Sequence, residues 1–197
     1  FRRGIVTTPG FGYLRPWCYT LLGLVAFLEA HPGDREIKPI HDDLAERVFG
    51  MYRDHATDDW PWWEDALTWG NAKIPHALLL AGQALERQEV IDAALTALRW
   101  CLAIQTAPEG HLSIIGNRGW LQRGREPARF AQQPIEAQCF VQALLEAARI
   151  TGDPAWRAEA QRCFEWFTGR NDLGESLIHP ETGGCHDGLQ PTGVNKN

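Results

Sequence analysis

The sequence predicts an all-α protein built from antiparallel helical hairpins. Apolar residues recur at helical spacing in six segments, at about 17–30, 40–56, 72–87, 90–105, 135–151 and 154–170. Between the last two, Gly152, Asp153 and Pro154 stand where a helix-ending glycine, an N-cap and a first helical residue are expected. Strand-like character is confined to one short piece, at 111–115.

Internal repetition groups the helices into pairs. A shift of 66 residues aligns Ala77-Leu78-Leu79 with Ala143-Leu144-Leu145, and Trp100 with Trp166. The hairpin at 72–105 therefore recurs at 135–170, and 17–56 is a looser copy. Because each hairpin buries its apolar stripe only against a neighbour, we expect the units to stack in one domain, 1–197. Long, irregular joins favour an α/α toroid over an open α-solenoid.

Composition narrows the class of protein. The chain has 197 residues, of which 44% are hydrophobic and 22% charged, as in globular proteins. Its 19 Lys and Arg against 25 Asp and Glu give a net charge of −6, without a basic block. This balance argues against binding to nucleic acid or to an anionic membrane.

The sequence also predicts a cytoplasmic location. No apolar run reaches the length that a bilayer requires, and Phe1-Arg2-Arg3 leads into no signal-peptide core. The five cysteines are odd in number and lack metal-ligand spacing, so we expect reduced thiols, with no metal and no cofactor.

Three long loops carry the residues suited to chemistry, at 57–71, 106–133 and 171–197. Each follows the second helix of a hairpin, so all three should emerge at the same end of the stack. Such loops between regular elements are often functional. We therefore expect a site at this end.

The first loop places four tryptophans beside acidic residues. Trp62 and Trp63 are candidate stacking surfaces for a sugar ring, and Glu64 and Asp65 are candidate acid–base catalysts. Asn71 is a candidate ligand for sugar hydroxyls. The alternative is a tryptophan-rich plug in which the two acidic residues cap the next helix.

The other two loops supply the remaining candidates. Trp120 is a third stacking surface, and Gln133 and Glu136 lie at the start of a helix, where the glutamate also suits the helix dipole. In the last loop, glycines allow tight turns that direct His186 and Asp187 into a cleft, with Asn195 nearby. Adjacent Cys185 and His186 lack the geometry expected of a metal site or a nucleophile–base pair.

An ordered set of motifs resembles a known family. Trp62-Trp63-Glu64 with Asn71-Ala72, the segment at 132–137 (Gln-Gln-Pro-Ile-Glu-Ala), and Gly183-Gly184-Cys185-His186-Asp187-Gly188-Leu189 with Val194-Asn195 are similar to the helical region found C-terminal to bacterial family 4 (GT-B) glycosyltransferases. That region is similar in turn to the (α/α)6 toroids of six-hairpin glycosidases and sugar epimerases. The resemblance covers about 57–197.

The resemblance implies a carbohydrate-handling toroid domain associated with glycosyltransfer or glycan processing. Its ligand would be a saccharide. The resemblance itself assigns no catalytic residue; if the domain is catalytic, Glu64, Asp65, Glu136 and Asp187 are its candidate acid–base residues. Six helices are half of a closed toroid, so we expect either self-association or a longer parent chain, with a GT-B domain as a possible partner. Two alternatives stay open: a non-catalytic helical scaffold for a protein partner, and a sugar epimerase or isomerase with His186 as base.

Overall fold

Helices dominate the structure, as the apolar periodicity predicts. The computed structural model describes residues 2–5 and 7–196. A single-turn helix, α1 (Arg2–Ile5), precedes six helices of 11 to 18 residues: α2 (Leu14–Ala30), α3 (Lys38–His55), α4 (Lys73–Ala84), α5 (Gln88–Ile104), α6 (Pro134–Thr151) and α7 (Pro154–Phe164). The all-α class and the six helical segments are confirmed.

The signals between the last two helices act as predicted. Gly152 adopts a left-handed conformation with φ of 72°, and the Asp153 side chain accepts a hydrogen bond from the Ala155 N–H at 2.9 Å. The final helix is shorter than its pattern indicates. It ends at Phe164, and a 3-10 turn (Glu165–Thr168) completes the segment before Gly169, whose φ is 106°.

Short strands hold the loops together. β1 (Ala66–Leu67) pairs antiparallel with β2 (Leu121–Gln122), and β3 (Gly188–Gln190) pairs antiparallel with β4 (Gly193–Asn195). The expected strand at 111–115 is not formed. Only Leu112 pairs there, in an isolated bridge to Thr106, because the flanking backbone groups bond within the loop.

The chain divides into two compact units. The first contains Phe1–Trp63 and Lys73–Leu98, and the second contains Glu64–Ala72 and Arg99–Asn197. In the first unit, α4 packs on α2 and α3 around buried Leu21, Leu44 and Leu78. Gly82 brings α4 close to α5, since an added Cβ would lie 3.0 Å from the Ile91 side chain.

In the second unit, α6 packs along α7. Their contact buries small residues on both helices, among them Ala143, Ala147 and Ala160, together with the large rings of Phe140 and Trp156. Small side chains at the contact let two helix backbones approach closely. Within the part of the chain that the structure describes, no helix is both long and apolar enough to cross a membrane.

Candidate functional site

A cleft in the second unit combines apolar surface with polar groups. It has a volume of about 460 Å³ and is lined by Trp69, Gln133, Pro134, Ile135, Cys185, His186 and Asp187. Three of the predicted site residues, Gln133, His186 and Asp187, thus meet in one place. Trp69 and Ile135, which the sequence did not single out, are 41% and 37% exposed there.

One wall of the cleft is held by a buried carboxylate. Glu136, in the first turn of α6, is 2% exposed. One carboxylate oxygen accepts a short hydrogen bond from the Gly70 N–H, and the other accepts from the backbone and side-chain N–H groups of Asn71 at 3.2 and 3.1 Å. Both oxygens of Glu136 therefore accept hydrogen bonds from the segment that carries Trp69.

These contacts change the role expected of two predicted residues. Glu136 is not placed as an acid–base catalyst, because its oxygens are buried and already accept bonds from the loop. Asn71 is fully buried and also bonds to the Thr68 backbone, with its side-chain oxygen 2.9 Å from the Thr68 nitrogen, so it is not exposed to a sugar. Both residues position the loop instead.

The opposite wall is the β3–β4 hairpin. The backbones of Gln132 and Leu189 exchange two hydrogen bonds of 3.0 Å, which docks the hairpin on the segment leading into α6. This approach requires Gly188, since a Cβ there would lie 2.1 Å from the Gln132 carbonyl oxygen. His186 and Asp187 consequently face Gln133 across the cleft.

The two apolar residues of the cleft occupy equivalent places in the internal repeat. Trp69 and Ile135 lie 66 residues apart, which is the spacing that superposes the two hairpins in sequence. Trp69 lies shortly before the start of α4 at Lys73, and Ile135 lies in the first turn of α6, which starts at Pro134. The 66-residue spacing of the repeat thus relates the two exposed apolar side chains, with Trp69 just ahead of the copy at 72–105.

The polar side of the cleft is acidic and hydrogen-bonding. Asn195 donates a hydrogen bond from Nδ2 to one oxygen of exposed Asp187 at 2.9 Å, and the other oxygen can accept from a ligand. The His186 ring lies edge to face with the His179 ring, with centroids 5.5 Å apart. Partial burial and the Asp187 carboxylate raise the pKa of the Cys185 thiol, which makes it a poor nucleophile at neutral pH.

The predicted stacking role of Trp62 and Trp63 is wrong. Both rings are completely buried. They pack edge to face at 5.2 Å, Tyr52 contacts Trp63 at 4.9 Å, and the Trp63 indole N–H donates to the Val48 carbonyl at 2.8 Å. Neither ring has a face available to a sugar, so this part of the loop is the plug that was the alternative.

Glu64, Asp65 and Trp120 do not line the cleft. Asp65 is beside the β1–β2 ribbon, 82% exposed and 3.7 Å from the Arg123 guanidinium, while Glu64 is half-buried. Trp120 has a positive φ of 53°; its backbone N–H donates to the Gly116 carbonyl at 3.1 Å, and its carbonyl accepts from the Ala128 N–H at 2.9 Å. A role for these three residues in chemistry stays a prediction.

Sequence reasoning missed a second buried carboxylate. The Asp172 side chain is 2% exposed and accepts hydrogen bonds from Ser113 Oγ at 2.9 Å and Gln132 Nε2 at 2.6 Å. The Arg129 guanidinium and the His111 ring lie 3.4 and 3.7 Å away. The two hydrogen-bond partners are 59 and 40 residues away from Asp172 in sequence. No local motif could therefore have revealed these contacts. Through these bonds Asp172 links the third loop to the second. One of its partners, Gln132, is also the residue on which the β3–β4 hairpin docks.

No metal centre emerges from the described ranges, 2–5 and 7–196: they contain no group of three or more His, Cys, Asp or Glu side chains that could hold an ion. The resemblance to the helical region of family 4 glycosyltransferases rests on the motifs alone. No protein-family model matches the chain, and no curated protein is significantly similar to it.

Proposed function

We propose that the second unit binds a saccharide in the cleft between Trp69 and the β3–β4 hairpin. The observation that carries this proposal is the pairing of exposed apolar side chains, Trp69 and Ile135, with Gln133, His186 and Asp187 in one open pocket. A pyranose presents C–H groups on its faces and hydroxyls at its edge. Ligand sites of this kind combine apolar surface with a few well-placed polar groups.

The same arrangement favours binding over hydrolysis. Glycoside hydrolysis uses two carboxyl groups that flank the scissile bond, roughly 5 to 9.5 Å apart. Among the residues that line the cleft, Asp187 is the one carboxylate. Glu136 is buried and bonded to the loop, so it is poorly suited to serve as the second.

Preorganisation supports a binding role as well. The Glu136 contacts hold the Trp69 segment before any ligand arrives, and the paired backbones of Gln132 and Leu189 hold the opposite wall. A ligand then loses less free energy in ordering the site. The expected α/α toroid is part of the same proposal, since toroid loops gather at one end of the helices.

Saccharide binding is tested by replacing the aromatic side chain. Trp69→Ala should weaken binding of a saccharide at least about tenfold, because the substitution removes the apolar face against which a ring stacks. Saturation-transfer NMR and titration calorimetry across a panel of mono- and oligosaccharides supply the measurement. Tyr13→Ala is the matched control, since Tyr13 is an aromatic residue 78% exposed elsewhere in the chain. Equal loss in both variants, or no saccharide bound by the natural sequence, would contradict the proposal.

A second candidate function is sugar epimerisation or isomerisation, which one observation favours. His186 lines the cleft beside Asp187, and histidine is the commonest general base. A base that removes a proton from a sugar carbon would exchange that proton with solvent. Deuterium incorporation into a bound sugar in D₂O, abolished by His186→Gln, would establish this activity over simple binding.

A further inference from the structure

We infer that the cleft is selective for uncharged saccharides and discriminates against sugar phosphates, uronates and nucleotide sugars. This inference rests on the proposed function and names the class of ligand that the site accepts. It assigns the cleft to a neutral sugar or glycan chain, such as an acceptor, and not to an activated sugar donor, whose diphosphate carries negative charge.

The charge of the lining is the first step. Trp69, Gln133, Pro134, Ile135 and Cys185 carry no charge in their ordinary forms, and no Lys or Arg is among the lining residues of the described chain. Asp187 therefore supplies the negative charge of the cleft lining, and His186 is the one described lining residue that can carry a positive charge. Anion sites typically use arginine forks, lysine or a run of backbone N–H groups, and this lining has neither basic side chain.

The contacts of Asp187 make its charge effective towards a ligand. Its described partner is a neutral amide, Asn195 Nδ2 at 2.9 Å, and not a cation that would cancel the charge. Two of the four arginines of the second loop lie beside other carboxylates: the Arg129 guanidinium is 3.4 Å from Asp172, and the Arg123 guanidinium is 3.7 Å from Asp65. The net charge of −6 adds a repulsive background for anions.

The helix start beside the cleft does not reverse this preference. α6 begins at Pro134, which has no N–H to donate, and the carboxylate of Glu136 lies in its first turn. The positive end of the helix dipole is thus already opposed by a buried negative charge. The helix start therefore supplies little attraction that could offset the repulsion between an anionic ligand and Asp187.

A hydroxyl-bearing ligand satisfies the same groups. The second oxygen of Asp187 accepts from a sugar hydroxyl, and the Gln133 amide both donates and accepts. The apolar side chains of Trp69 and Ile135 contact the C–H face of the ring. Charge-assisted hydrogen bonds from hydroxyls to Asp187 would be among the strongest in the site.

Matched ligands test the selectivity. Binding of neutral hexoses and disaccharides is compared at pH 8, where histidine is ordinarily neutral, with the corresponding 6-phosphates, uronates and a uridine-diphosphate sugar. We expect the anionic members to bind at least about tenfold more weakly, as a like charge a few ångströms away in a solvated site predicts. Asp187→Asn, which retains an oxygen for the Asn195 amide, should reduce the difference severalfold. Glu126→Gln, which removes an exposed carboxylate outside the cleft, should leave it unchanged.

Each outcome decides between the two claims. Equal or tighter binding of the anionic ligands would overturn the inference and leave saccharide binding intact. An unaltered difference in Asp187→Asn, or an equal change in Glu126→Gln, would also overturn it, because the discrimination would then have another source. Failure of every ligand, neutral and anionic, would instead reject the proposed function itself.

Discussion

Replacing Glu136 by glutamine separates a positioning role from a catalytic one. The carboxylate accepts three hydrogen bonds from Gly70 and Asn71, two of them from backbone N–H groups, while being 2% exposed. Glutamine has nearly the same shape but keeps one acceptor oxygen, so its NH₂ group must face one or two of these donors. The substitution Glu136→Gln therefore leaves buried donors without an acceptor.

The cost follows from the number of donors affected. Each buried polar group that loses its partner costs about 1–3 kcal/mol, and more when the partner was charged. One or two such donors amount to about 2–4 kcal/mol, a large part of the roughly 5–15 kcal/mol that stabilises a typical domain. At about 2–4 °C per kcal/mol for a chain of this size, the midpoint of thermal unfolding should fall by at least about 4 °C.

Calorimetry and urea unfolding measure this change, with Glu126→Gln as the control. Glu126 is an exposed glutamate, and its substitution should alter stability by less than about 0.5 kcal/mol. Saccharide affinity should fall together with stability in Glu136→Gln, because the loop that carries Trp69 loses its anchor. A variant as stable as the natural protein would refute the reasoning, and one that kept stability and affinity but lost turnover would restore Glu136 as a catalyst.

Three further outcomes are expected. Gly188→Ala, which puts a Cβ 2.1 Å from the Gln132 carbonyl oxygen, should destabilise the chain by about 1–3 kcal/mol in urea unfolding, whereas Gly12→Ala, with no neighbour within 4 Å, should not. Burial and the nearby Lys73 lower the pKa of His76 to about 4, so the unfolded chain binds more protons between pH 4 and 6.5. The free energy of unfolding should therefore decline by about 3 kcal/mol as the pH falls through this window, and His76→Gln should flatten that decline. In the native state a thiol reagent should modify Cys185 and spare the four buried cysteines, all five reacting in denaturant, and fast native reaction of a second thiol would contradict the packing.

Local patterns sufficed for the helices and failed for the tryptophan-rich loop. Helical periodicity and capping act over a few residues, which is why six segments and the turn at Gly152 and Asp153 could be predicted. Burial of Trp63 depends on a carbonyl 15 residues earlier, at Val48, and no feature of the loop itself distinguishes it from exposed Trp69. Composition identified an aromatic loop but not which ring faces the solvent.

The same limit applies to the candidate site. His186, Asp187 and Gln133 were found because glycines and a helix start mark their positions in the sequence. The contacts that hold these residues in place could not be predicted. Asp172 accepts hydrogen bonds from residues 40 and 59 positions away, and Glu136 accepts them from residues 65 and 66 positions away. Pairings over such distances are decided by packing, which local sequence does not encode.

Gln132 has a consequence for the order in which the second unit acquires its structure. Its side chain accepts from the Trp166 indole at 3.0 Å and donates to Asp172 and to the Arg129 carbonyl, while its backbone exchanges two bonds with Leu189. We expect the β3–β4 hairpin to dock late, because closing the 57-residue interval between Gln132 and Leu189 carries an entropic cost and the Gln132 side chain is held by Trp166 and Asp172. The cleft should thus be the last region of the unit to fold and the first to open, and the Leu189 amide should exchange with deuterium sooner than the amides of α6.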